Sequence, residues 1–137
     1  MYDKDILIQE LMRDEGVQLK PYRDTVGKLT IGVGRNLNDV GISRPEALGL
    51  LANDIAAAEC ALDKVFPKWK SLTDTRQRVL LNMVFNMGPS GLTAFSKFIA
   101  NLSLGDWGGA ATEMLNSKWA VQVGQRAVRL ADMMRRG

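Results

Sequence analysis

The chain has 137 residues, enough for one ordinary domain with a real core, and its 46% apolar and 24% charged composition is that of a soluble globular protein. With no histidine, Ser-His and Cys-His catalysis and any His-ligated metal site are excluded; the single cysteine, Cys60, allows no internal disulfide and reads as a small core residue. The net charge of +3 suits an anionic partner such as cell wall, but the basic residues are scattered and no aromatic-rich basic surface is legible, so nucleic acid is not expected as a partner.

The first element is a helix over about 3–15. Ile6, Leu7, Leu11 and Met12 recur at helical spacing, Asp3 can accept a free backbone N–H at its start, and Gly16 supplies the left-handed stop. Glu15 then sits in the last turn, where unpaired carbonyls gather partial negative charge. An ionised carboxylate is disfavoured there and the neutral acid favoured, which makes Glu15 a candidate proton donor. Val17 to Arg23 reads as extended chain broken by Pro21. Asp24-Thr25-Val26-Gly27 is a turn, and Leu29, Ile31 and Val33 alternate with Thr30, Gly32 and Gly34 as a strand with one buried face. Thr30 is expected on the face opposite the apolar one, sharing a cleft wall with Asp24 and facing Glu15. Two carboxylates in different surroundings are what glycoside hydrolysis requires: one neutral to protonate the leaving oxygen, one ionised to activate water or stabilise positive charge. Thr30 can orient that water. On spacing alone the plainer reading, a solvated glutamate and a turn aspartate, stays open.

Asn36 to Ile42 is a turn-rich connector, closing a small β lobe over about 16–42. Ser43-Arg44-Pro45-Glu46 is a capping box, and Ala47, Leu48, Leu51, Ile55, Ala58, Leu62 and Phe66 carry a helix from Pro45 to about Val65 that links the lobe to the rest. Lys68 to Leu72 is a linker anchored by Trp69. A strongly apolar helix follows, capped by Thr73 or Asp74, with Val79, Leu80, Met83, Val84 and Met87 inward and Gly88-Pro89 at its end. Thr93 to Leu104 reads as a further amphipathic helix. Asp106 caps the next, Ser117 to Val123 is a short turn of chain around Trp119, and the last helix runs from about Gln125 to Arg135 with Leu130, Met133 and Met134 inward. There is no internal repeat, no apolar run long enough for a bilayer, and no phosphate-binding loop after Gly32 and Gly34; Met1 to Asp5 has none of the features of a signal peptide.

Glu15-Gly16, Leu19 to Thr25 and Thr30-Ile31-Gly32-Val33-Gly34 together resemble the signature of the phage-type lysozymes and endolysins related to the T-even phage enzyme. Asn82 to Gly88, Ser117-Lys118-Trp119 and Gln125-Arg126-Ala127 continue the resemblance in order along nearly the whole chain. It implies a single lysozyme domain over 1–137, α+β and mostly α, with the small β lobe joined by a long helix to a helical lobe spanning about 43–137. It implies Glu15, Asp24 and Thr30 as the catalytic trio, Phe85, Phe98 and Glu113 as substrate-facing residues, and Arg126 as a partner of Glu15. On periodicity alone Phe85 reads better as core. Where the family often has histidine paired with an aspartate, this chain has Arg35 and Asp54, an expected ion pair whose cation keeps its charge across the pH range.

The implied activity is that of an endolysin, a muramidase hydrolysing the β-1,4 bond between N-acetylmuramic acid and N-acetylglucosamine in bacterial peptidoglycan, without metal or cofactor. A monomer is expected, held in the host bacterial cytoplasm and released to the wall through a separate phage pore protein. The connector after the strand is much shorter than in the T-even pattern, so the lobe that helps form the cleft is compressed. Three alternatives remain: a lytic transglycosylase on the same bond, a non-catalytic wall-binding module, and a cationic protein that contacts anionic membrane through its last helix, with Arg126, Arg129, Arg135 and Arg136.

Overall fold

A computed structural model describes residues 1–137 as a mostly helical α+β protein with one small antiparallel sheet. The chain divides into two compact units, Met1–Gly49 and Leu50–Gly137. The division falls inside the long helix and not at its start, so the first unit holds the opening helix, the sheet and the first turns of the linking helix.

In the first unit, helix α1, Lys4–Glu15, starts on Asp3, whose carboxylate accepts from the Asp5 and Ile6 amides. It stops at Gly16, which takes the positive φ of 76° expected of it. Strands β1 (Gln18–Arg23), β2 (Leu29–Gly32) and β3 (Arg35–Asn36) form a sheet in chain order, antiparallel throughout. The β1–β2 ladder is irregular between Gln18 and Tyr22, the interval that contains Pro21, which has no N–H to donate. Thr30 lies at the centre of the sheet, opposite Tyr22 on one side and Asn36 on the other.

Helix α2, Arg44–Val65, begins with the capping box read from its sequence. The Glu46 amide donates to the Ser43 hydroxyl at 3.2 Å, and the Glu46 carboxylate accepts from the Ser43 amide at 2.9 Å. The second unit packs its core around α3, Asp74–Ala94, whose Val79, Leu80 and Met83 are fully buried. Thr73 caps α3. Gly88-Pro89 breaks its helical path, with Gly88 at φ 77°, but the chain resumes helix as far as Ala94, a stretch the sequence pattern does not announce. The helix expected over Thr93 to Leu104 is accordingly shorter: α4 is Ser96–Ser103. Helix α5, Trp107–Leu115, is capped by Asp106 as read. The chain around Trp119 is a short helix, α6 (Lys118–Val123), and not a turn; Ser117 caps it through the Ala120 amide. Helix α7, Gln125–Arg136, buries Leu130 and Met134 as expected, and also Ala127 and Ala131, small side chains that let it lie close on its neighbours. Between α2 and α3 a tight helical turn, Pro67–Ser71, buries Trp69, whose indole N–H donates to Asp63 at 2.8 Å. That bond, followed by the contact of the Lys70 ammonium, holds the Asp63 carboxyl below its usual range. Cys60 departs from the sequence reading. It is exposed on α2, where the inward stripe is carried by Ala58 and Leu62.

Candidate active site

The three residues expected to act on substrate all lie in the first unit, and the local backbone explains how each is held. Asp24 closes the turn between β1 and β2. Its Oδ1 accepts from the amides of Val26 at 3.0 Å and Lys28 at 2.8 Å, which leaves Oδ2 free. The Lys28 carbonyl in turn accepts the Asp24 amide and the Thr30 hydroxyl, each at 2.9 Å. One peptide segment thus ties the carboxylate to the hydroxyl. With its proton given to Lys28, the Thr30 oxygen retains lone pairs that can accept from a water.

Thr30 is not on an open face. It is 3% exposed and is the most buried residue of the sheet, while Leu29 and Ile31 are half-buried and Val33 is exposed. Thr30 is therefore not on the open face expected of it, while Leu29 and Ile31 stay partly covered. A threonine tolerates this position because its hydroxyl is satisfied internally and its strand is flanked on both sides.

Glu15, exposed at the last turn of α1, lays its side chain against Gly34 in the loop after β2. A Cβ on Gly34 would lie 2.9 Å from Oε2 and 3.2 Å from Cδ of Glu15. The Gly34 φ of 65° is likewise one that glycine adopts freely. The significance of this glycine is not visible in the sequence beyond the Gly32-Val33-Gly34 spacing.

Arg35 engages a carboxylate other than the one expected. The resemblance points to Asp54; the structure pairs Arg35 Nη1 with Glu46 Oε1 at 2.9 Å and with the Gly41 carbonyl at 3.1 Å. The shortened connector accounts for it, since it delivers the first turn of α2 directly to β3. The Arg35 hydrogen bond, with the Ser43 amide and hydroxyl behind it, holds the Glu46 carboxyl down at about 2. The signal was present in the sequence as the capping-box glutamate.

In the second unit Arg126 donates to the Asn82 side chain at 2.9 Å. Phe85 is 47% exposed and lines two open grooves of about 610 and 420 Å³. Arg126 lines the larger with Arg78 and Arg129, and Asp54 lines the smaller. Phe98, expected to face substrate, is fully buried, edge-to-face with Phe95 at a centroid distance of 5.3 Å. A phenylalanine at that position joins the core, where a polar residue would stay at the surface. Glu113 is half-buried on α5. Asn86, not anticipated, accepts the Trp119 indole N–H at 2.9 Å.

The sequence model of the phage lysozyme family, described as "Phage lysozyme", matches residues 12–136. The chain belongs to the phage lysozyme family. Among curated relatives it is 29% identical to probable T4-type lysozyme 2 of Dictyostelium discoideum, over 93% of this chain and 92% of that protein. It is 32% identical to the SAR-endolysin of Escherichia phage Mu, over 86% of this chain and 68% of the relative. It is also 30% identical to the pre-baseplate central spike protein Gp5 of Enterobacteria phage T4, over 96% of this chain but only 28% of that much longer protein. Membership in the phage lysozyme family, with relatives named T4-type lysozyme and endolysin, supports a lysozyme-type peptidoglycan hydrolase.

Proposed function

We propose that this chain hydrolyses the β-1,4 bond between N-acetylmuramic acid and N-acetylglucosamine of bacterial peptidoglycan, as the endolysin that ends a phage infection. Glu15 donates a proton to the glycosidic oxygen as the bond to the leaving sugar breaks. Asp24, through its free Oδ2, takes a proton from a water that Thr30 orients, and that water attacks the anomeric carbon. No metal or cofactor takes part. Phe85 and Glu113 remain the proposed sugar-contacting residues of the second unit. Accumulation in the host cytoplasm, with release to the wall through a separate pore protein, completes the reading; no helix of the protein is long and apolar enough to cross a membrane.

The observation that carries the proposal is the coupling of Asp24 to Thr30 through Lys28. A carboxylate with one oxygen fixed and one free, tied to a threonine oxygen with lone pairs to spare, is an arrangement for holding water. A lytic transglycosylase uses one acid and no water, and has no need of it.

The test is clearing of purified peptidoglycan by wild type, Glu15→Gln and Asp24→Asn, with folding checked by circular dichroism. Asn at position 24 keeps an oxygen for the Val26 and Lys28 amides, so the turn survives while the charge is lost. Each variant is expected to lose about 10²–10⁴-fold of activity, the usual worth of a positioned acid or base. An anhydro-muramic product, or full activity in Asp24→Asn, would overturn the hydrolytic mechanism.

A further inference from the structure

We infer that Gly34 is a positioning residue for the Glu15 carboxyl: the hydrogen in place of a side chain leaves the space in which the proton donor rests. The inference builds on the proposed role of Glu15. Nine glycines of the chain have positive φ, so conformation alone does not distinguish Gly34. What sets it apart is its neighbour. In the first unit a Cβ on Gly16, Gly27 or Gly32 would meet nothing within 4 Å, and on Gly41 only the Leu37 carbonyl at 3.9 Å. On Gly34 it would meet Oε2, Cδ and Cγ of Glu15 at 2.9, 3.2 and 3.4 Å.

The Glu15 side chain leaves the last turn of α1 and is exposed, so the helix fixes its root but not its tip. The Gly34 backbone supplies a wall on one side of the carboxyl. Carbon and oxygen atoms not bonded to each other rest at roughly 3.5 Å, so a methyl on Gly34 drives the carboxyl away by at least about half an ångström. General acid catalysis works over a narrow range of about 2.6–3.2 Å, and a misplacement of ~1 Å can cost about 100-fold in rate. The effect falls on proton delivery and therefore on kcat, with little change in KM.

The experiment compares wild type, Glu15→Gln, Gly34→Ala and Gly41→Ala on a soluble peptidoglycan fragment, well below the melting temperature of each. Gly41→Ala has the same left-handed strain, φ 67°, without the contact to Glu15. Gly34→Ala is expected to lose tenfold or more in kcat and to shift the limb of its pH profile that reports the acid. Gly41→Ala is expected to stay within about threefold of wild type with an unmoved profile. Equal kcat values and equal profiles for the two alanine variants would overturn the inference while leaving the role of Glu15 intact. Full activity in Glu15→Gln would instead overturn the reading on which it rests. The kcat comparison is made on variants whose circular dichroism matches that of wild type; a Gly34→Ala that fails to fold while Gly41→Ala folds would also overturn the inference, since moving an exposed carboxyl aside does not unfold the chain.

Discussion

In the proposed mechanism the Thr30 hydroxyl serves structure and chemistry at once. Its hydroxyl donates to Lys28 and so helps close the β1–β2 turn, while its lone pairs remain for water. The two roles separate by substitution. Thr30→Ser keeps the hydroxyl and gives up only a methyl group, and is expected to retain activity within about tenfold. Thr30→Val keeps the shape and loses the oxygen; it is expected to lose about 10²-fold or more in clearing of peptidoglycan, for about 1 kcal/mol of stability in a denaturant melt. Equal activity of the two variants would show that the oxygen serves the turn alone. Phe98 is the opposite case, a position where family pattern and physical chemistry disagree. It is fully buried against Phe95, so Phe98→Ala is expected to cost about 3–5 kcal/mol and to leave KM unchanged in whatever protein stays folded.

At the scale of elements, the start of α2 carries a pH dependence. Glu46 is held at about 2 in the folded protein against an ordinary value of 4.5, first by Arg35 and then by Ser43. A carboxyl lowered on folding stabilises the native state fully above its unfolded value, and that contribution fades as pH falls from about 4.5 through about 2. Thermal melts of wild type and Glu46→Gln should therefore differ most near neutral pH and converge as the solution is acidified through that window. A gap that does not close would mean that the carboxylate charge is not what matters. This element was legible because a capping box is local, read from four consecutive residues. Helices α2, α3 and α5 were legible for a similar reason, since a buried stripe and a cap lie within one segment; α7 was legible from its stripe alone, and α1 from its Asp3 cap and Gly16 stop, although its apolar side chains are exposed. What escaped was set by other segments. The helix after Pro89, the inward face of β2 and the exposure of Cys60 depend on what packs against them, which no period records. Among site residues, the turn that holds Asp24 could be read from Asp24 to Gly27. The contact of Gly34 with Glu15 joins residues far apart in sequence, and the Arg35–Glu46 pair depends on how far the shortened connector carries α2.

At the scale of the whole molecule, the last helix decides what kinds of test are available. Leu130 and Met134 belong to the core of the second unit, as do the small residues Ala127 and Ala131, so cutting away 125–137 to look for a membrane-active segment would remove part of the core. The end of α7 is also fastened to the start of α3. Arg76, only 8% exposed, donates from Nε to the Met134 carbonyl at 2.8 Å and from Nη2 to the Arg135 carbonyl at 3.1 Å, and its guanidinium lies 4.2 Å from the centre of the Trp107 ring. Burial pulls its pKa down, but two carbonyls at the negative end of a helix and an aromatic face are suitable neighbours for a cation. Arg76→Met fills similar space and removes every one of these bonds, leaving two carbonyls of the α7 terminus without partners. It is expected to lower stability by about 2–4 kcal/mol, seen as a melting temperature several degrees lower, while activity in the cold is kept. Arg136→Gln, on the exposed side of the same turn, should change stability by no more than about 0.5 kcal/mol. If the two variants melt alike, the fastening of α7 by Arg76 is not what secures the second unit. If they differ as expected, a membrane role for the helix is better tested by neutralising Arg135 and Arg136, which line neither groove, than by truncation: killing that falls with those charges while clearing of purified peptidoglycan is unchanged would assign α7 a second activity, and killing that tracks clearing would leave hydrolysis as the whole of its action.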